Sequence, residues 1–180
     1  MEYKLIRSRR KTVSIRVTPE GAVEVRAPWL YPKYKIEAFL RQKEPWIQAQ
    51  LRKCSAAAQV RPLTHQEHQA LTEAARKWFT ERTAHFAPVV GVTYGAITIR
   101  TQHTRWGSCS AKGNLNINCL LMLAPETVRD YVVVHELCHR KEMDHSKAFW
   151  AYVEQVLPDY KESRAWLKDN GAALMAKRPG

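Results

Sequence analysis

The sequence contains two histidines four residues apart, His135 and His139, and Glu136 directly follows the first of them. Residues four apart lie on one face of an α-helix, so the two imidazoles would project side by side and could share a metal ion. His145 follows six residues after His139 and could supply a third ligand once the chain turns back. Three imidazoles leave one coordination position open, as a catalytic zinc requires. We therefore predict one Zn²⁺ per chain, although other divalent ions could also bind three imidazoles.

Glu136 lies about 100° around the same helix from His135, so its side chain would reach a water molecule at the metal without binding the metal itself. Zinc lowers the pKa of a coordinated water to about 7, and a nearby carboxylate can take the proton. We predict that Glu136 is the general base. The alternative is a solvated amphipathic helix with incidental histidines, and the third histidine at a fixed offset makes that coincidence rarer.

The 180-residue chain has a net charge of +12, and residues 1–61 hold 14 of its 29 basic residues and 5 of its 17 acidic ones. That excess of positive charge predicts weak, salt-sensitive binding of nucleic acid without sequence preference. The alternative is that these side chains only keep a basic protein soluble. On strand alternation, Arg10 and Arg16 would share a face. The candidate contacts are Arg7, Arg9, Arg10, Lys11 and Arg16.

The four cysteines form no C-x-x-C pair, which argues against a zinc ribbon, and they are too few for a disulfide framework. The N-terminus lacks the apolar segment of a signal peptide, and no apolar run approaches the ~20 residues that span a membrane. We therefore predict a cytoplasmic protein that does not enter the membrane. No pattern indicates an oligomeric state.

The N-terminal part, residues 1–61, is predicted to form a β-hairpin and a helical segment packed on the core that follows. Residues 12–17 and 22–26 alternate apolar and polar side chains around a turn at residues 18–21. A helical pattern begins at Lys33, and Pro45 either kinks it or divides it into two helices.

The larger part, residues 62–180, is predicted to be an α+β core. Thr64 and Glu67 have capping-box spacing and would open a helix that runs to about His85. Residues 96–119 alternate as short antiparallel strands, with residues 105–109 near an edge. Pro125 suits the first position of the metal helix. Asp144 would cap the next helix or accept a proton from a ligand histidine.

Several segments together resemble the YgjP-like metallopeptidase family, whose members are zincin-fold relatives of the SprT and WLM proteases. The matching segments are residues 105–109 (Arg-Trp-Gly-Ser-Cys), 114–118, 131–139, and His145-Ser146 with Phe149-Trp150. The resemblance implies a zincin-like core with antiparallel strands packed on helices, a three-histidine zinc, and a peptide or protein substrate. Zincin substrates commonly lie along a sheet edge, so the resemblance also implies four candidate substrate contacts. These are Arg105, Trp106, Asn116 and Asn118.

Three functions remain open at this point. The first is a zinc metallopeptidase, in which Glu136 serves as the base and the oxyanion stabiliser is one of Tyr131, His103, Arg105 and Tyr160. The second is a non-peptidase metal-dependent amide hydrolase, which a small preformed pocket would favour over a groove beside an edge strand. The third is a nucleic-acid-binding module with structural zinc.

Overall fold

A computed structural model describes residues 2–18 and 20–179. The chain divides into two units, Met1–Val60 and Arg61–Gly180, each with its own buried core. The mixture of small sheets and helices confirms the expected α+β class.

The first unit contains a three-stranded sheet in the order β1-β3-β2. Strands β2 (Ser14–Val17) and β3 (Val23–Pro28) pair antiparallel and form the predicted hairpin. Strand β1 (Lys4–Ser8) pairs parallel with the other edge of β3 and was not predicted. The adjacent apolar residues Leu5 and Ile6 break the alternation that marks a half-buried strand.

Two helices follow this sheet, α1 (Lys33–Gln42) and α2 (Glu44–Ala58). Of the two outcomes predicted for Pro45, the structure has the division into two helices. Pro45 is the second residue of α2, where a backbone N–H has no partner within the helix, so proline costs little there. The helices bury apolar side chains in one cluster with β3. That cluster includes Ile36, Leu40, Ile47, Val23, Val25 and Ala27.

The structure changes the role of two basic residues in this unit. Arg7 Nη1 donates to the carbonyl oxygens of Pro28, Trp29 and Tyr31 at 2.9, 2.5 and 2.9 Å, so this guanidinium stabilises the turn after β3. Arg10 lies in the loop between β1 and β2 rather than on a strand. The predicted shared strand face of Arg10 and Arg16 is therefore wrong.

The second unit begins with α3 (His65–Val90), which the predicted capping box opens: Glu67 N–H donates to Thr64 Oγ1, and Thr64 N–H donates to Glu67 Oε2. The helix continues five residues beyond His85, to Val90, and includes Pro88 in its last turn. Gly91 ends it in the left-handed conformation, with φ 74°.

The second sheet contains β4 (Ile97–Arg100), β5 (Gly107–Cys109) and β6 (Leu115–Asn118) in the order β4-β6-β5. β5 and β6 are antiparallel as predicted, but β4 is parallel to β6, so the prediction of antiparallel strands throughout is wrong. Residues 101–106, the crossing loop, connect β4 on one side of β6 to β5 on the other side. For this reason β4 and β5 are not neighbours, and β4 pairs parallel with β6. The crossing leaves β5 at an edge of the sheet, as expected.

Three further helices complete this unit: α4 (Glu126–Cys138), α5 (Lys147–Val156) and α6 (Tyr160–Ala176). α4 contacts α3, α5, α6 and β5, which buries most of its surface. Pro125 is the N-cap residue, one position before the predicted one. Within the described part of the chain, no helix is both long and apolar enough to cross a membrane.

Candidate metal centre

Helix α4 places His135 and His139 on one face, and the loop before α5 brings His145 to them. One ring nitrogen from each histidine lies within 4.8 Å of the others. His135 Nε2 and His145 Nε2 are 3.1 Å apart. Two nitrogens that bind one tetrahedral zinc at 2.0–2.1 Å lie about 3.3 Å apart, so this spacing and the all-imidazole donor set fit a metal ion. His135, His139 and His145 are the residues that can hold it.

Hydrogen bonds hold the loop that carries the third histidine. The Glu142 carbonyl oxygen lies 3.1 Å from His139 Nδ1, so this nitrogen is the donor and Nε2 is left for a metal. Asp144 Oδ1 accepts from Ser146 N–H at 2.7 Å, and Ser146 Oγ caps α5 by accepting from Phe149 N–H. Both roles predicted for Asp144 therefore belong to neighbours: Ser146 caps the helix, and Glu142 binds the histidine.

A buried aromatic side chain supports all three imidazoles. The Phe149 ring centroid lies 4.9, 4.6 and 4.8 Å from those of His135, His139 and His145. Burial, together with the smaller effect of the neighbouring His139 and His145, lowers the pKa of His135 to about 3. Burial also lowers the pKa of His139. Both shifts favour the neutral imidazole, which is the form in which histidine binds a metal.

Glu136 is not part of the three-histidine cluster, and its side chain packs against Gly107 of β5. Only 5% of its surface is exposed, and burial raises its pKa to about 8, although the charge of Arg105 opposes that shift. A cation beside it would lower this pKa again. Glu136 Oε2 is buried and makes no hydrogen bond with the described residues. A buried oxygen without a partner is costly, so this atom is suited to bind a water molecule or a substrate group.

Two cavities meet at this carboxyl group. The first, about 280 Å³, lies between β5 and the histidines. It is lined by Arg105, Gly107, Ser108, Cys109, His135, Glu136, His139, Met143 and His145. The second, about 230 Å³, is more apolar. It is lined by Arg105, Trp106, Gly107, Tyr131, Val132, His135, Glu136 and Leu167.

A family model for the YgjP-like metallopeptidase domain matches residues 11–68 and 63–170, which is most of the chain. The chain belongs to the YgjP-like metallopeptidase family. This membership makes it a protein of a metal-dependent hydrolase family, as the resemblance implied. Among the described residues, His135, His139 and His145 form the one group of three or more His, Cys, Asp or Glu side chains that could hold a metal ion.

Two individual proteins are similar over shorter stretches. The UTP pyrophosphatase of Escherichia coli (strain K12) is 35% identical over 65 residues, which are 34% of this chain and 39% of that protein. This match therefore spans less than half of that curated relative. The metallopeptidase zymogen abylysin of Pyrococcus abyssi is similar in structure with a TM-score of 0.46 and 26% sequence identity, over 50% of this chain and 93% of that one.

The four substrate contacts that the family resemblance implied fall into two pairs. Arg105 lines both cavities, and Trp106 lines the second one. Asn116 donates to Ser108 Oγ at 3.2 Å, across the pair of strands β6 and β5, and lines neither cavity. Asn118 is fully buried: Nδ2 donates to the carbonyl oxygens of Gln102 and Arg105, and Oδ1 accepts from Leu120 N–H. These hydrogen bonds hold the loop of residues 101–106 in place. Asn118 lies on β6, the central strand of the sheet, and so it is not at an edge where a substrate could pair.

The candidates for oxyanion stabiliser also divide into residues that line a cavity and residues that do not. Tyr131 lines the second cavity, and its ring centroid lies 5.7 Å from that of His135. Burial raises the pKa of Tyr131 to about 12, so the hydroxyl keeps its proton and can donate. His103 and Tyr160 line neither cavity. Tyr160 is buried and stacks on Trp150, with ring centroids 5.2 Å apart.

Sequence reasoning missed the part played by Gly107. An added Cβ at this position would lie 2.7 Å from Glu136 Cγ, so only glycine leaves room for the carboxyl group against β5. An isolated glycine in a strand often marks a close approach, and that was the available signal. Met143 and Leu167, which line the cavities, carried no comparable signal.

Proposed function

We propose that this protein is a zinc-dependent metallopeptidase that hydrolyses peptide bonds with Glu136 as general base. One observation carries the proposal: a buried carboxyl oxygen without a hydrogen-bond partner lies beside three converging imidazoles, in a cleft lined by an edge strand.

The three histidines would hold the metal, which when bound supplies a Lewis acid that polarises a carbonyl group and acidifies water. Glu136 accepts the proton of the attacking water and returns it to the leaving amine. The charge of Arg105 favours the ionised carboxylate that the first of these transfers needs. The neutral hydroxyl of Tyr131 is our candidate donor to the developing oxyanion.

The edge strand supports a peptide as the substrate. All three residues of β5 line the first cavity, and among the described strands β5 pairs on one side only, with β6. An extended peptide can add to such an edge through main-chain hydrogen bonds. This groove favours a peptidase over an amide hydrolase with a small closed pocket.

A second candidate is hydrolysis of a nucleotide pyrophosphate bond. The similarity to a protein named UTP pyrophosphatase favours it, and so does the guanidinium of Arg105 at the cleft, since guanidinium groups bind phosphate well. A nucleic-acid-binding module with structural zinc is less well supported, because structural sites use four protein ligands and the cluster in the described residues has three.

The test is to purify the protein, measure its metal content, and incubate it separately with casein and with UTP. We expect casein cleavage that a chelator removes and zinc restores, and no cleavage by Glu136→Gln. Hydrolysis of UTP with intact casein would replace the first candidate by the second. Inactivity of the zinc-loaded protein on both would overturn both.

A further inference from the structure

Arg105 is placed where the two cavities of the site meet. Besides Arg105, both cavities are lined by Gly107, His135 and Glu136. The Arg105 side chain is exposed, and among the described residues it makes no hydrogen bond and no ion pair. It acts on Glu136 only through longer-range charge interaction. Its five N–H donors are therefore free at the candidate catalytic centre.

Other arginines of this unit are used within the fold. Arg82 forms a bidentate pair with Asp130 at 2.8 and 2.5 Å. Arg140 donates to the carbonyl oxygens of Thr93 and Ala111. Arg164 lies over the ring of Trp150, 4.6 Å from its centroid. Arg105 differs from these three arginines because its guanidinium has no such partner among the described residues.

The backbone of Arg105 is held firmly although its side chain is free. Its carbonyl oxygen accepts from Asn118 Nδ2 at 3.1 Å, and the N–H of Asn118 donates to the carbonyl of the next residue, Trp106, at 2.8 Å. Asn118 is itself fully buried. The guanidinium therefore extends from a fixed point of the crossing loop, which reduces the entropy lost when it binds a ligand.

We propose that Arg105 binds an oxyanion of the substrate, a carboxylate or a phosphate group, next to the bond that is cleaved. The inference rests on the proposed function and names its substrate class: a molecule with an anionic group near the scissile bond and an apolar group beside it. Guanidinium binds such planar or tetrahedral oxyanions through two parallel hydrogen bonds. The apolar group would enter the second cavity, against Trp106, Tyr131 and Leu167.

Charge explains why such a residue is needed. Among the described residues that line the two cavities, Glu136 is the one carboxyl group, and none is a lysine. Ionised Glu136 repels an anion at short range, and a free guanidinium at the junction offsets that repulsion. Without Arg105, the site would lose its preference for anionic over neutral substrates.

The experiment measures binding rather than turnover, in zinc-loaded protein that carries Glu136→Gln so that no ligand is consumed. The probes are acetyl-Ala-Leu with a free carboxylate, the same peptide as its C-terminal amide, and inorganic pyrophosphate, each titrated calorimetrically. We expect an anionic probe to bind at least ten-fold more tightly than the amide. Arg105→Ala should remove that difference and Arg105→Lys should keep part of it.

The control is Arg76→Ala, which removes the same charge from the exposed surface of α3 and should leave all three affinities unchanged. If binding of the peptide carboxylate depends on Arg105, the anion is a peptide terminus. If only binding of pyrophosphate depends on Arg105, the anion is a phosphate group. Equal affinity for all three probes would overturn the proposal. An equal loss for acid and amide in Arg105→Ala would also overturn it, because that result assigns Arg105 to folding of the site rather than to binding of an anion. Failure of the proposed function shows separately, as absent hydrolysis by the Glu136-containing protein.

Discussion

The side chain of Glu136 packs directly against the backbone of Gly107, so that the candidate base on α4 and the edge strand β5 are in contact. In the function that we propose, this contact joins the group that moves the proton to the strand that binds the substrate.

We expect Gly107→Ala to displace the Glu136 carboxyl group, because the new Cβ would lie 2.7 Å from Glu136 Cγ. Overpacking of this kind costs about 1–3 kcal/mol of unfolding free energy. Hydrolysis should fall at least about 100-fold, because a small displacement of a catalytic group has an effect of this size. Zinc should remain bound. Activity assays, thermal unfolding and metal analysis check this. Cys109→Ala on the same strand is the control, and an equal loss there would remove the special role of Gly107.

His145→Ala should sharply weaken metal binding, because two imidazoles make a poor zinc site. Metal content after dialysis, measured beside the exposed-residue control His103→Ala, is the test. Undiminished zinc in the His145 variant would exclude this residue from the ligands.

Glu136→Gln should preserve the fold and the metal while hydrolysis falls by roughly 10²–10⁴, the usual contribution of a general base. The amide has nearly the same shape as the carboxyl group but cannot accept the proton. Circular dichroism, zinc analysis and a cleavage assay are the measurements. If zinc were lost together with activity, Glu136 would be a ligand or a scaffold residue.

Asn118→Ala should destabilise the second unit by about 1–3 kcal/mol, since it leaves buried backbone groups of the crossing loop without partners. Thermal unfolding compares it with Asn116→Ala, which loses one half-buried contact to Ser108 and should cost less. A smaller effect at Asn118 than at Asn116 would contradict the structural role we assign to Asn118.

Nucleic-acid binding through the basic first unit remains a prediction, and Arg7 is withdrawn from its contacts because its guanidinium holds the turn after β3. Binding to generic duplex and single-stranded DNA should fall steeply with added salt. Changing Arg9, Arg10 and Lys11 together to Ala should weaken it further. Absence of binding at low salt, or binding indifferent to salt and to the triple change, would discard the idea.

Local patterns in the sequence predicted most of the helices and strands and brought out the three candidate metal ligands. The i, i+4 spacing of His135 and His139 needs only one helix to bring the imidazoles together. The capping box at Thr64 and Glu67 and the break at Pro45 likewise depend on backbone hydrogen bonds within a few residues. A short window of sequence therefore predicted the capping box, and at Pro45 it left a kink or a division into two helices as the two outcomes.

Only the tertiary structure decided how the strands pair and which side chains reach the cleft. The parallel pairings of β1 with β3 and of β4 with β6 join segments that are distant in sequence, and no local pattern shows which strand edge is free. For the same reason the sequence could not separate Arg105, which lies free at the cleft, from Asn118, which is buried in the central strand. The sequence determines the chemistry of each side chain, but whether that side chain is buried or reaches the cleft depends on contacts between distant segments.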